Sequence, residues 1–388
     1  MVKIYQIISI LLLITLSFIP KQIDMRINYA IIGFAILTFP LFFKNVKEDI
    51  KSGNITTIFF ILFLIACSFS TIFSIDQDRS IPQLLLYYAY FIIFTSIRSI
   101  FPTLRSKEVL TFLFLLLTSI LSVISLYHTL ILKYVNRASE GVSFMWVYFG
   151  HNHLAALLIF ALPLSVYFLK KYWHKKYAPV LLLTAYFLLF TLFLTFSRAS
   201  LISLISACAF IIFFFRFIPK QKIPFFFIIG SFVLLLSFIT PIAKQVGVTK
   251  PDVLSSARPV YWKTAIVNGL SHPITGTGLD TFRKLSYNTS SRVLKADYAH
   301  NFFLQILSDT GILGFLSSVG LISTILWQSL KKVQSSSRLS RDKVQSSQKA
   351  LFLAFWVGLL ASTLNTMVDF DWQLPTVFLI FWLFAGLL

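Results

Sequence analysis

Runs of apolar residues, each about as long as the ~20 residues that a helix needs to cross a bilayer, recur along almost the whole chain. Hydrophobic residues make up 57% of the 388 residues and charged residues only 12%, and the mean hydropathy is +0.81. These values lie far outside the range of soluble proteins. A transmembrane β-barrel would show short alternating segments in place of continuous runs. The sequence therefore predicts an all-α, polytopic membrane protein.

About twelve transmembrane helices fit the chain and leave no room for a soluble catalytic domain. The predicted spans are 4–20, 27–43, 55–73, 81–97, 108–132, 150–169, 179–196, 199–215, 223–243, 299–330, 350–368 and 374–388. We expect residues 1–388 to form a single transmembrane domain, in which the first span is retained because no small-x-small cleavage pattern follows it. The run 299–330 is too long for a simple span, and Ser308-Asp309-Thr310-Gly311 predicts a break within it.

The basic residues predict the orientation of the chain. With the N-terminus inside, the inner connectors carry 20 Lys and Arg residues and the short outer connectors carry 6, which agrees with the positive-inside rule. The longest connector, 244–298, lies on the outer face in this orientation and carries another 8. The net charge of +20 then reflects topology and contact with anionic membrane lipids, so no nucleic-acid partner is expected. The basic stretch 331–349 is interpreted as an inner linker.

Three ionisable residues at the edges of apolar runs could carry chemistry. Arg198 ends one run and could be either an interfacial arginine or a phosphate ligand, since a guanidinium group fits phosphate oxygens in a bidentate way. Arg258 opens a segment whose apolar positions repeat with helical spacing, as in an amphipathic helix at the membrane surface. His300, which Asn301 follows, stands at the mouth of the next span, and a neutral imidazole can take a proton from a hydroxyl group. The predicted orientation places all three at the outer face.

Turn-forming residues follow the amphipathic segment. Gly269 precedes the sequence HPITGTG, whose glycines would let backbone amides approach an anion closely, although a glycine-rich turn alone is a weak signal. His272 lies in this turn and could touch a donor phosphate. Asp297 and Asp309 could orient His300, but the sequence does not decide this.

The sequence Asp369-Phe370-Asp371 spells a D-x-D, a pattern that elsewhere chelates a metal for nucleotide-sugar transfer. Here it lies in a short outer turn beside Trp372, and we interpret it as an interfacial turn. We therefore predict no metal site and no cofactor.

Two histidines and two cysteines have simpler interpretations. His151 and His153 are spaced i, i+2, which suits metal ligation poorly on a helix, so packing or contact with a glycan is favoured. Cys67 and Cys208 both lie in apolar runs, and we expect no disulfide between them.

Several of these patterns resemble the O-antigen ligase and O-antigen polymerase superfamily of bacterial membrane glycosyltransferases. The matching patterns are Arg258-x10-Gly269, His300-Asn301-x9-Gly311-x-x-Gly314, Ser197-Arg198-Ala199 and FGHNHLAALL at 149–158. The resemblance covers residues from about 149 to 330, and its most specific part is the pattern that begins at His300.

The resemblance implies a fold of the GT-C type and a donor glycan carried on undecaprenyl diphosphate. By this resemblance Arg198 and Arg258 would hold the diphosphate and His300 would deprotonate the acceptor hydroxyl, without a divalent metal. The other residues expected at the substrate are Asn301, Gly269, His272, Gly311 and Gly314.

The implied function is lipopolysaccharide biosynthesis by an inverting, O-antigen ligase-like glycosyltransferase at the periplasmic face of the inner membrane, with lipid A–core as acceptor. In an organism without lipopolysaccharide, the acceptor would be another envelope glycan or a protein. An O-antigen polymerase, which would transfer to another lipid-linked repeat unit, uses the same chemistry and is the main alternative. A transporter or flippase for the lipid-linked glycan is a third possibility, but it should line a path through the membrane centre with charge.

Overall fold

The computed structural model describes residues 2–17, 25–127, 151–215, 258–287, 295–335 and 343–388, and within these ranges it contains helices and turns but no strand. The α-helices are α1 (Val2–Ser17), α2 (Met25–Lys51), α3 (Ile55–Ile72), α4 (Gln77–Ile100), α5 (Leu104–Leu126), α6 (His151–Lys171), α7 (Ala178–Leu194), α8 (Arg198–Phe215), α9 (Arg258–Ser271), α10 (Phe282–Tyr287), α11 (Phe302–Ser335), α12 (Lys343–Thr366) and α13 (Pro375–Leu387). A short 3-10 helix, Asp371–Gln373, lies between α12 and α13.

The helices confirm the prediction of an all-α polytopic membrane protein. Seven of those described are long and apolar enough to cross a membrane, namely α2 to α6, α11 and α12. Four shorter apolar helices, α1, α7, α8 and α13, coincide with further predicted spans. The remaining predicted span, 223–243, lies outside the described residues. Helix α9 confirms that the segment opened by Arg258 is helical.

Side chains at helix starts explain several of the boundaries. Asn54 caps α3 by accepting a hydrogen bond from Thr56 N at 3.1 Å. Thr103 and Ser106 form a capping box at the start of α5. Asn301 caps α11, because its Oδ1 accepts from Leu304 N at 3.0 Å. Each cap satisfies a backbone N–H that has no partner inside its own helix.

Helix α13 lies at the centre of the described bundle. Every residue from Pro375 to Leu387 is buried, and the helix packs against α2, α4, α6 and α12. Its aromatic rings interlock with those of its neighbours; Trp382, for example, packs on Phe60 at 4.6 Å between ring centroids. A helix that is apolar on all sides can be surrounded in this way. The turn that precedes α13 is therefore buried in the middle of one end of the bundle.

The predicted break in α11 is confirmed at Gly311, whose φ of 70° and ψ of −164° are accessible essentially only to glycine. The break frees backbone groups that the turn after α9 satisfies. Thr277 N donates to Ser308 O at 3.2 Å, and Gly278 N donates to Asp309 O at 3.0 Å. In return, the N–H of the residue after Gly311 donates to the carbonyl of Pro273 at 2.8 Å. The broken helix thus fixes the turn that links α9 to α10.

The same end of the bundle contains the junction of α3 and α4. Ser80 Oγ donates to Leu279 O at 2.7 Å, and Arg79 pairs with Asp280 at 3.3 Å, so this junction contacts the turn after α9. Burial raises the pKa of Asp280 to about 6, although the charge of Arg79 opposes this. At the opposite end, Arg98 pairs with Asp49 at 2.9 Å. Helix ends that the sequence assigned to one membrane face are therefore found together.

Candidate functional site

The D-x-D turn before α13 is the centre of the candidate site. Asp369 and Asp371 are only 1% and 2% exposed, which differs from the interfacial turn expected from the sequence. The reason is the central position of α13, which draws the turn into the bundle. Trp372 holds the turn in place, because it is buried against Phe378 and donates from Nε1 to Ser362 Oγ at 2.8 Å. Buried carboxylates need partners, and both have them.

Asp369 faces two of the predicted site residues. Its Oδ1 lies 3.5 Å from His300 Nδ1, and its Oδ2 lies 3.5 Å from Arg258 Nη2. Both are ion-pair distances that are too long for well-formed hydrogen bonds. Burial opposes ionisation of Asp369, but the interaction with His300 and the positive charge of Arg258 outweigh it and lower the pKa of Asp369. The structure thus brings Arg258 and His300 to one ionised carboxylate.

Asp371 faces the other way. Its Oδ1 lies 2.7 Å from Nδ1 of His153 on α6, and its Oδ2 accepts from Nδ2 of Asn365 on α12. Burial and the nearby charge of Asp369 raise the pKa of Asp371 to about 6, in spite of the hydrogen bond from His153. The two carboxylates of one turn therefore have pKa values displaced in opposite directions, which is typical of sites that handle protons. His151 also starts α6, and nothing is described of its side chain.

Phe370 separates the two carboxylates and packs against aromatic rings. The rings of His153 and His300 meet it edge-on, with centroids at 4.9 Å and 4.7 Å, and Tyr298 stacks on it at 5.4 Å. Tyr261 also stacks on His300, with ring centroids at 5.8 Å. His300 is consequently fixed by ring packing as well as by Asp369, while its side chain remains 25% exposed.

The backbone around His300 is strained and tied to neighbouring elements. His300 has a φ of 53°, which a residue of its size rarely adopts and which costs about 1–3 kcal/mol. Its carbonyl accepts from Trp262 Nε1 at 3.4 Å. Asn301, besides capping α11, donates from Nδ2 to Met367 O at 2.7 Å and so joins α11 to the D-x-D turn. Strain of this kind is common at functional sites.

The described contacts bring Arg258 and His300 together but do not bring Arg198 to them. Arg198 is the first residue of α8 and is exposed, and none of the described carboxylates pairs with it. Its neighbour Ser200, however, donates to Asn365 Oδ1 at 3.2 Å, and Asn365 donates to Asp371. The start of α8 is therefore joined to the D-x-D turn by buried polar side chains.

The predicted glycines lie where backbones pack closely. A Cβ at Gly269 would meet the carbonyl oxygen of Leu307 at 2.6 Å, and one at Gly311 would meet that of Pro273 at 2.5 Å. Gly314 packs against the Thr310 side chain. The contact of Gly269 holds α9 against α11, and that of Gly311 holds the turn after α9 against α11, whereas that of Gly314 lies within α11. Contact of these glycines with a substrate stays a prediction.

The remaining predicted residues of the turn have local partners. His272 is exposed at the end of α9, and its Nδ1 lies 3.3 Å from Asn268 O. Asp309 is buried and accepts from Gln305 Nε2 at 3.1 Å and from Asp280 N at 3.0 Å, so it orders the turn after α9. Asp297 pairs with Arg283 at 3.2 Å. Among the described contacts, Asp369 and not Asp297 or Asp309 pairs with His300.

Several buried polar atoms near the turn have no hydrogen-bond partner. They are Asp369 Oδ2, His300 Nδ1, Tyr261 Oη, Gln373 Nε2, Thr366 Oγ1 and Thr376 Oγ1. Unsatisfied buried groups are uncommon, and a cluster of them at one place is consistent with a site that a polar ligand completes. Within the described residues, no group of three His, Cys, Asp or Glu side chains could hold a metal ion.

Sequence reasoning did not place Asp369, Asp371 and His153 at the candidate site, where the structure finds them in contact with one another or with Arg258 and His300. The signal was present, because the D-x-D pattern and the FGHNH segment both stand out at the ends of predicted spans. What the sequence lacked was the burial of α13, which turns a surface loop into the centre of the site.

The comparison with protein families agrees with the motifs. Residues 183–319 match the family model described as O-antigen ligase. This segment contains Arg198, Arg258 and His300, whereas His153 and the D-x-D turn lie outside it. The match supports the O-antigen ligase superfamily, as the sequence patterns predicted. A search of curated proteins found no match.

Proposed function

From this family match, which supports a membrane enzyme of the O-antigen ligase and polymerase type, we propose that the chain is an inverting glycosyltransferase. It transfers a glycan from undecaprenyl diphosphate to a hydroxyl group of lipid A–core at the periplasmic face of the inner membrane. The observation that carries the proposal is the pairing of both Arg258 and His300 with the single buried carboxylate of Asp369.

His300 is the proposed general base. Asp369 lies beside the buried Nδ1 of its ring, which favours the tautomer with a proton on Nδ1 and leaves Nε2 to accept a proton. Hydrogen bonds between catalytic groups are often long before substrate binds, so a separation of 3.5 Å suits this role. A positioned base of this kind contributes roughly 10²–10⁴-fold to rate.

The two arginines are the proposed ligands of the diphosphate. Arg258 keeps its side chain 30% exposed while it touches Asp369, so it can contact the carboxylate and a phosphate together. Arg198 begins α8, where free backbone N–H groups and the helix dipole also favour an anion. Pre-placed positive groups stabilise charge as it develops on the leaving group, and one such contact is worth roughly 10²–10³ in kcat.

The proposed reaction is a direct displacement. The acceptor oxygen attacks the anomeric carbon as the bond from that carbon to the diphosphate oxygen breaks. The proton of the acceptor hydroxyl passes to His300 Nε2, and the electron pair of the broken bond leaves with undecaprenyl diphosphate. Attack from the face opposite the leaving group inverts the anomeric centre.

The location of the site supports transfer at the outer leaflet. The site residues lie at helix ends that the positive-inside rule assigns to the outer face, and no nucleotide sugar is available there to supply the energy of transfer. A flippase would instead need charged groups along the membrane centre, whereas these residues gather at one end of the bundle.

The test is transfer by the purified protein in liposomes that contain the lipid-linked glycan and lipid A–core. We expect glycosylated core together with released undecaprenyl diphosphate. His300→Ala and Arg258→Ala should abolish both products, while His174→Ala and Arg105→Ala, at the opposite end of the bundle, should leave them unchanged. Binding of the donor without turnover would contradict an enzyme and favour a carrier.

The glycan profile of a strain that lacks this protein distinguishes a ligase from a polymerase. A bare core with polymer accumulating on undecaprenyl diphosphate supports the ligase. Single repeat units on the core would instead assign the chain as the polymerase.

A further inference from the structure

A line of buried hydrogen bonds joins four elements next to the candidate site: α8, α12, the D-x-D turn and α6. Ser197 Oγ donates to Ser200 Oγ at 3.0 Å, and Ser200 Oγ donates to Asn365 Oδ1 at 3.2 Å. Asn365 Nδ2 then donates to Asp371 Oδ2, and the other oxygen of Asp371 lies 2.7 Å from His153 Nδ1. The line therefore runs from α8 through α12 and the D-x-D turn to α6.

The hydrogen bonds along this line are mutually consistent: each donor has an acceptor in the next residue, and Asp371 accepts at the end. An ionised Asp371 accepts from both neighbours, which assigns the proton of the His153 ring to Nδ1. Ser200, Asn365 and Asp371 are each almost fully buried, so the loss of one member leaves one buried polar atom of each neighbour without its partner. A fully satisfied buried network of this kind fixes the geometry of the elements that it joins.

The two ends of the line coincide with the two parts of the site. Ser197 and Ser200 bracket Arg198, the exposed arginine of α8. Asp371 belongs to the same short turn as Asp369, which pairs with His300 and Arg258. No described ion pair joins Arg198 to that carboxylate, so these hydrogen bonds are a direct link between the two parts.

We propose that His153, Asp371, Asn365 and Ser200 form a positioning chain, which holds the arginine of α8 in register with the Asp369–His300 pair. This inference rests on the proposed function. None of the four residues exchanges a proton with the substrate. A displacement of even 1 Å between the phosphate ligand and the base costs about 10²-fold in rate, which gives such a chain its importance.

The choice of substitution at His153 separates positioning from proton transfer. His153→Asn places an amide N–H where the ring carries Nδ1, so it can still donate to Asp371 but cannot titrate. His153→Leu removes the donor. A positioning role therefore predicts that the asparagine variant recovers most of the activity that the leucine variant loses. Equal loss in both variants would overturn the proposal, because it would require an ionisable ring.

Kinetics and a distance measurement test the other members of the positioning chain, Asn365 and Ser200. Asn365→Leu and the milder Ser200→Ala should lower kcat roughly 10- to 100-fold with little change in the KM for the donor, as for partners that orient catalytic groups. Spin labels at the exposed Ile202 on α8 and Val267 on α9, with Cys67 and Cys208 replaced, should give a narrow distance distribution that broadens in both variants.

The matched control is Asn45→Leu at the opposite end of the bundle. Asn45 is also buried and also donates its amide, to Thr95 O at 2.7 Å, so this variant loses similar hydrogen bonds. It should lose stability but keep both kcat and the narrow distance distribution. Unchanged kcat and unchanged distances in Asn365→Leu and Ser200→Ala would overturn the positioning chain.

The spin-label distances test the positioning chain separately from the proposed glycosyltransferase function. Absence of transfer by the wild-type protein would overturn the proposed glycosyltransferase function. The distance distributions would still decide whether the positioning chain holds α8 in a fixed position relative to α9.

Discussion

The Nδ1 atom of His300 lies 3.5 Å from Oδ1 of Asp369, and His300 has a φ of 53° at this position. The protein therefore keeps a strained histidine beside a buried carboxylate. The other oxygen of Asp369 faces Arg258 at the same distance. One carboxylate thus organises both a base and a cation.

Asp369→Asn should lower glycan transfer roughly 10²–10⁴-fold, because an amide cannot favour the Nδ1–H tautomer of His300 as a carboxylate does. The rate of undecaprenyl diphosphate release measures this. Asp297→Asn, which removes an exposed carboxylate paired with Arg283, serves as the control and should retain wild-type turnover. A fully active Asp369→Asn enzyme would remove the carboxylate from the mechanism.

Arg258→Lys should be almost as impaired as Arg258→Ala, with a loss of roughly 10²–10³-fold in kcat. A lysine supplies a point charge but not the planar fork that can reach a carboxylate and a phosphate at once. Lys263→Ala, on the same helix and exposed, is the matched control for the loss of a positive charge. Recovery of turnover in the lysine variant would argue against bidentate recognition.

Asp371→Asn should change how stability depends on pH. The pKa of Asp371 is raised from 3.8 to about 6, so the folded state holds its proton more tightly than the unfolded state does. This stabilisation is complete below the unfolded pKa of 3.8 and is lost as pH rises to about 6, a change of about 3 kcal/mol at most.

Thermal unfolding in detergent from pH 4 to pH 7 measures this effect. The asparagine variant should gain stability relative to wild type as pH rises, and the difference should become constant above pH 6. A difference that does not vary with pH would mean that Asp371 titrates normally.

Gly311→Ala should destabilise the protein by roughly 1–3 kcal/mol or more, because the added Cβ meets the carbonyl oxygen of Pro273 at 2.5 Å and the backbone conformation is one that alanine avoids. The fall in the thermal unfolding midpoint measures this. Gly33→Ala, inside α2 and with open space around the new Cβ, is the control and should not lower the midpoint. A stable and active Gly311→Ala protein would show that the break in α11 tolerates a side chain.

Chelators should leave transfer unchanged. The carboxylates of the D-x-D turn face different partners, Asp369 towards His300 and Arg258 and Asp371 towards His153 and Asn365, so they do not offer a shared pair of free oxygens. Turnover with and without EDTA measures this. Activity that EDTA removes and added Mg²⁺ or Mn²⁺ restores would contradict the prediction.

Among the described residues, the sequence by itself determined where the apolar helices lie, and it predicts their orientation. A bilayer requires each span to satisfy its own backbone hydrogen bonds over a fixed length, so hydropathy locates the spans without any knowledge of neighbours. The break at Gly311 was predictable for the same reason, since it depends on residues next to it in the chain. The motifs around Arg258 and His300 also indicated the family.

The tertiary structure decided which polar residues meet. The apolar pattern of α13 fits a lipid-facing helix as well as a central one, because lipid and protein interior are equally apolar. Only the packing of its neighbours buries it, and with it Asp369 and Asp371. His153 and Asp371 are 218 residues apart, and no local pattern joins them. Pairing over such a separation follows from the packing of α6, α12 and α13, which hydropathy does not specify.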